Sequence, residues 1–175
     1  MLLIETERIS FVLMKKAALI IFMLVLGRQY VSGQTVKKVS IDQLEKYIAD
    51  SKSPMVINFW ATFCKPCVEE MPYFVGNANR RPDVELVFVS LDLPDFYPSK
   101  VTDFIKKRNY TKATNFWLNE TNADTFCPRI DSSWEGAMPV TLFVSKDKQR
   151  KFIGRPMTEG QVSREFDLLS EAISE

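Results

Sequence analysis

Apolar positions along the chain switch several times between helical and strand spacing. Ile41, Leu44 and Ile48 recur at helical intervals behind Ser40-x-x-Gln43, and Pro54 closes the segment. That tetrad has the form of a capping box, in which each side chain satisfies the other residue's backbone N–H. Met55 to Trp60 (MVINFW) is short, apolar and rich in β-formers, the pattern of a buried strand. A helix is predicted from Cys64-x-x-Cys67 onward, with Val68, Met71, Phe74 and Val75 on its inner face. Val84 to Leu91 predicts a second buried strand, and Val101, Phe104 and Ile105 a helix. A short strand is expected at Phe116 to Leu118. After Pro139, Val140 to Val144 predicts a strand that turns through Ser145 to Lys148, with Lys151 to Gly154 pairing back. Thr158-x-x-Gln161 caps a last helix that places Val162, Phe166, Leu169 and Ile173 on one face.

Alternating strands and helices that end in a hairpin predict an α/β fold, a central mixed sheet flanked by helices. No repeat or low-complexity tract divides residues 34–175, which read as one domain. Residues 1–33 read differently. Lys15-Lys16, the uncharged run Ala17 to Leu26 and the short residues Val31-Ser32-Gly33 describe a secretory signal peptide, with Met14 as its natural start. The run is shorter than the roughly 20 apolar residues that span a bilayer. An exported domain is expected, periplasmic or otherwise extracytoplasmic, and anchored to the membrane if the leader is not cleaved.

Composition removes whole classes of chemistry. The 175 residues contain no histidine, so imidazole-dependent hydrolases and histidine-bearing zinc sites are excluded. With 23 basic against 22 acidic side chains there is no basic excess to engage nucleic acid. Three cysteines remain, and in an oxidising compartment cysteines are either paired or chemically used.

Cys64-Lys65-Pro66-Cys67 joins the end of a predicted strand to the start of a predicted helix. Unpaired N–H groups at a helix N-terminus favour a thiolate at Cys64, and one turn carries Cys67 within bonding reach. Pro66 falls in the first turn, where its missing N–H does no harm. Cys64 is then the attacking thiolate and Cys67 the resolving thiol; Lys65 adds a weak, solvated positive charge. Two other readings stand beside this one. Half a zinc site lacks its second pair and any histidine, and a structural bridge over so short a loop stabilises little.

WATFCKPC with Glu70, Met71 and Pro72, together with Met138-Pro139-Val140-Thr141, resembles the thioredoxin superfamily and its secreted TlpA/ResA-like branch. Trp134 and Gly136 also fit that branch. The resemblance implies a thioredoxin-like fold with an inserted helix and strand, roughly Asp92 to Leu118. It implies a cis peptide at Pro139 facing the disulfide, and a substrate surface formed by Trp60, Lys65, Pro66, Met138 and Pro139. It gives Glu70 a role in influencing the thiols or relaying protons; spacing alone reads Glu70 as a solvated carboxylate and Trp60 as core. It implies that Pro72 kinks the active-site helix. No cofactor is expected beyond the Cys64–Cys67 disulfide, and no metal. The implied partners are protein disulfides, such as those of cytochrome c apoproteins, and a membrane thiol–disulfide donor that recharges the pair.

Three other functions compete: a peroxiredoxin-type peroxidase, a binding module with a structural disulfide, and a metallochaperone. Against the first, Ala61 occupies the position three residues before Cys64 where such peroxidases carry threonine. Cys127, between Phe126 and Pro128, reads as a buried small hydrophobe.

Overall fold

A computed structural model describes residues 36–110 and 113–171 of the chain. The leader read at residues 1–33, and Ile173, lie outside the described residues. In chain order the elements are β1 (Lys37–Val39), α1 (Ile41–Asp50), β2 (Met55–Trp60), α2 (Lys65–Arg80), β3 (Glu85–Ser90), a 3-10 turn (Pro94–Phe96), α3 (Ser99–Arg108), β4 (Thr114–Leu118), α4 (Ala123–Ile130), β5 (Val140–Val144), β6 (Arg150–Ile153) and α5 (Glu159–Glu171).

The six strands form one sheet in the order β1-β4-β3-β2-β5-β6. β1, β4, β3 and β2 are mutually parallel, and β5 runs antiparallel to both β2 and β6. Parallel neighbours need crossover helices, and α2 and α3 supply them for β2–β3 and β3–β4. The expected inserted segment is the 3-10 turn, α3 and β4, and it slots β4 between β1 and β3.

Strand alternation sorts the core into two layers. Val56 and Trp60 of β2 face the layer with Met71, Phe74, Phe88, Val101, Ile105, Val162 and Phe166. Met55, Ile57 and Phe59 face the layer with Leu44, Ile48, Phe126, Ile130 and Leu142. So α2, α3 and α5 cover one face, and α1 and α4 the other. Both capping boxes form: Gln43 N–H donates to Ser40 Oγ at 3.2 Å, and Gln161 N–H to Thr158 Oγ1 at 3.4 Å.

Four details differ from the sequence expectation. Val68 and Val75 are only partly buried, while Glu70 and Asn77 on α2 are buried. The helix α4 was not anticipated because Pro128 breaks its pattern, yet Asn122 Oδ1 caps it by accepting from Asp124 N–H at 3.0 Å. Pro128 is exposed on α4, so of the two neighbours of Cys127 only Phe126 packs inward. The three-residue edge strand β1 carries two exposed lysines and so shows no apolar signal. Pro72 lies inside α2, at the place where the resemblance implies a kink.

Candidate active site

The site forms where β2 runs out. After Trp60 the chain makes a tight turn, with Cys64 N–H donating to Ala61 C=O at 3.0 Å. Cys64 then occupies the N-cap of α2, and its carbonyl accepts the first helical bond from Val68 N–H at 3.1 Å. Cys64 and Cys67 are joined as a disulfide, with Cα atoms 5.3 Å apart. The two cysteines are both buried but differ slightly in access: Cys64 is 9% exposed and Cys67 is 0% exposed. Lys65 and Pro66 between them are exposed, and Lys65 Nζ lies 3.7 Å from Glu69 at the solvent surface.

One turn further along α2, Glu70 is buried at 2% exposure, unlike its neighbour Glu69. Its Oε1 accepts from Asn58 Nδ2 at 2.9 Å and its Oε2 from Met157 N–H at 2.8 Å. Asn58 also donates to Thr141 Oγ1 at 3.0 Å, across the β2–β5 pair in which the two residues are register partners. Burial pushes the Glu70 carboxyl above its ordinary range, and the bonds from Met157 and Asn58 pull it back only in part. The solvated reading of Glu70 is therefore corrected: the helix turns this carboxylate inward, beneath the cysteines.

The Met138–Pro139 peptide is cis. The β2–β5 register ends at Phe59 opposite Val140, so Pro139 directly precedes the last paired residue of β5 and Trp60 directly follows that of β2. Met138 is half-buried against the apolar layer that contains both cysteines. Trp134 Nε1 holds this loop by donating to Ala137 C=O at 2.8 Å. Gly136 has φ 88°, a left-handed conformation that glycine adopts without steric cost. Among the expected substrate-binding residues, Lys65 and Pro66 are exposed, Met138 is half-buried and Pro139 is buried. Trp60 does not join them: at 1% exposure it packs in the core, its ring 4.8 Å from that of Phe104.

Asn58, Thr141, Thr62 and Asp92 were not singled out from sequence. An asparagine inside MVINFW is a signal for the first, since a polar group in a buried strand needs a partner. Asp92 is buried and accepts from Thr62 N–H at 3.1 and 3.0 Å. Cys127 is buried in α4 as a free thiol, and burial pushes it up to about 11, with Asp124 adding to the shift. Among the described residues no cluster of three or more acidic or cysteine side chains could hold a metal ion.

Comparison with known proteins agrees with this geometry. The AhpC/TSA family matches residues 31–149, more than half of the chain. The chain belongs to the AhpC/TSA family. Within the thioredoxin superfamily, this AhpC/TSA member is 39% identical over 114 residues to the thiol-disulfide oxidoreductase ResA of Oceanobacillus iheyensis. That match covers 62% of this chain and 54% of ResA, so it spans about half the length of the relative. The fold is shared with a secreted disulfide oxidoreductase of Mycobacterium tuberculosis homologous to E. coli DsbE. There the TM-score is 0.55 and the identity 22%, over 69% of this chain and 85% of that one. It is shared also with a thioredoxin-related protein of Neisseria meningitidis serogroup B, with TM-score 0.56 and 23% identity over 73% and 90% of the two chains. Among the described residues no helix is long and apolar enough to cross a membrane.

Proposed function

We propose that this AhpC/TSA member is a thiol–disulfide oxidoreductase that reduces disulfides of exported proteins, in the manner of cytochrome c maturation. One observation carries the reading: a disulfide at a helix N-terminus whose first cysteine is 9% exposed and whose second is fully buried, with a buried carboxylate one turn beyond. The likeness to ResA supports the same chemistry.

In the reduced protein, Cys64 thiolate attacks one sulfur of a target disulfide. That bond breaks, the target's other sulfur leaves as a thiolate, and Cys64 is held to the target by a new S–S bond. Cys67 loses its proton and attacks Cys64 Sγ, which breaks the mixed disulfide and frees the second target thiolate. The target has gained two electrons and takes up two protons, and the Cys64–Cys67 disulfide remains. Glu70, held above its ordinary range by burial, is suited to receive the proton that Cys67 releases. A membrane dithiol donor then returns two electrons to the pair. The cis-Pro139 loop, with Met138, Lys65 and Pro66, receives the target backbone.

The peroxidase reading loses ground at the loop itself. Ala61 is buried without a hydroxyl, and the hydroxyl of Thr62 is already committed to Asp92.

The full chain should accelerate insulin reduction by dithiothreitol, and Cys64→Ser should not. A wild type no faster than Cys64→Ser would leave a binding module with a structural disulfide. Glutathione equilibration fixes direction: thioredoxin-like pairs run from about −270 mV for reductants to about −120 mV for oxidants. Cys67→Ala, lacking the resolving thiol, should retain its targets as mixed disulfides.

A further inference from the structure

Two carboxylates are buried among the described residues, Glu70 and Asp92, and the exchange chemistry uses only the first. Asp92 lies just past the end of β3 and is 3% exposed. Its Oδ1 and Oδ2 both accept from Thr62 N–H, Oδ1 also accepts from Thr62 Oγ1, and Oδ2 accepts from Ser90 Oγ at 2.8 Å. Its own backbone is fixed as well: its N–H donates to Ser90 Oγ at 3.2 Å, and its carbonyl accepts from Trp117 Nε1 at 2.7 Å. No ion pair among the described residues includes Asp92. The other charged groups near this end of the sheet are engaged elsewhere. Lys65 pairs with Glu69, Glu70 bonds Asn58 and Met157, Lys38 Nζ sits 5.4 Å from the centroid of the Trp117 ring, and Lys100 Nζ 3.8 Å from that of Phe96. Asp95, in the 3-10 turn, is exposed.

Burying a carboxylate without a cation is costly, and an apolar side chain would fill the same space. The donors that offset this one come largely from Thr62, two residues before Cys64. We propose that Asp92 is a positioning residue for Cys64. It clasps the loop between Trp60 and Cys64 through both donors of Thr62, and it opposes ionisation of the Cys64 thiol. Two effects act in the same direction. The carboxylate is a negative charge behind the loop, and it occupies the N–H and O–H that could otherwise turn toward a thiolate. Only the dithiol form can ionise, so opposing the thiolate disfavours the reduced state and keeps the pair a reductant. The inference rests on the exchange reading of Cys64 and Cys67, and it supplies the residue that biases the direction of that exchange.

Asp92→Asn keeps the shape and removes the charge. The pH midpoint for iodoacetamide alkylation of Cys64 should fall. The equilibrium with glutathione should move toward the dithiol by about tenfold, which is ~30 mV for two electrons. Urea unfolding of the same variant separates these readouts from loss of structure. Thr62→Val, which leaves the carboxylate in place, carries the test should Asp92→Asn not fold. It should slow exchange severalfold, and Thr62→Ser should restore it. An unmoved alkylation midpoint in folded Asp92→Asn, or equal exchange rates for the valine and serine variants, overturns the proposal. A wild type that does not exchange with insulin defeats the oxidoreductase reading instead, and the alkylation midpoint still judges Asp92 alone.

Discussion

The sheet separates two kinds of interior. On the face covered by α1 and α4, Met55, Ile57, Phe59, Val87, Val89, Leu142 and Val144 meet Leu44, Ile48, Phe126 and Ile130, and Cys127 sits among them as one more small apolar group. Burial holds its thiol at about 11, so at neutral pH it carries essentially no thiolate. On the face covered by α2, α3 and α5, the apolar layer is interrupted at its active-site end. There Asn58, Glu70 and Thr141 form a buried polar chain beneath two cysteines at a helix N-terminus. Both faces are buried alike. Reactivity follows from which face also offers a helix terminus, a titratable group and a path to solvent.

Exchanging the cysteines' chemistry tests this contrast most severely. Cys64→Ser should reduce insulin-reduction activity to the background of the uncatalysed thiol reaction. Cys127→Ser should leave that activity unchanged, although putting a more polar hydroxyl in place of the buried thiol should cost about 1–3 kcal/mol of stability. Loss of exchange in folded Cys127→Ser would mean that the two faces are chemically coupled after all.

A cavity in the apolar face should produce the complementary result. Leu142 is fully buried on β5, next in chain order to Thr141 but pointing to the opposite layer. Leu142→Ala should cost about 2–5 kcal/mol in urea unfolding. Its glutathione equilibrium should match that of the wild type. A shifted equilibrium would show that packing on this face reaches the thiols.

The same division explains what could be read from the chain alone. The apolar layers were legible because they rest on periodicity. MVINFW, the Val140 to Val144 strand and the final helix all emerge at or near their expected bounds. The cysteine pair and Pro139 were legible because their spacing is a chemical signature. Glu70 was ambiguous because two adjacent glutamates on one helix have opposite fates, decided by where β2 and the segment before α5 lie. Asp92 and Thr62 are thirty residues apart in sequence and meet only because β3 ends beside β2, where Leu91 N–H donates to Trp60 C=O at 2.8 Å. The resemblance sets Trp60 among the substrate-binding residues, whereas strand alternation turns it inward with Val56, as its spacing implies.

The finest distinction concerns Glu70 and its titration. Its carboxyl is raised in the folded protein by burial, against the opposing bonds from Met157 N–H and Asn58 Nδ2. In the unfolded chain it titrates near the ordinary value of 4.5, so the folded state binds that proton more tightly. Stability then falls with pH wherever the native state holds more protons than the unfolded one. The contribution of this group is complete below 4.5 and is lost as pH rises from there through the raised folded value. Glu70→Gln has no such proton to lose. Urea midpoints of the two oxidised proteins, taken from below 4.5 to neutrality, should diverge, with the wild type losing ground to the variant as pH rises. The variant should also slow exchange by about a hundredfold, as the loss of a positioned proton acceptor does, with the largest deficit in resolution by Cys67. Parallel stability curves with unchanged exchange would make Glu70 a packing residue, and the polar chain beneath the disulfide would then only tie α2 to β2 and to the segment leading into α5.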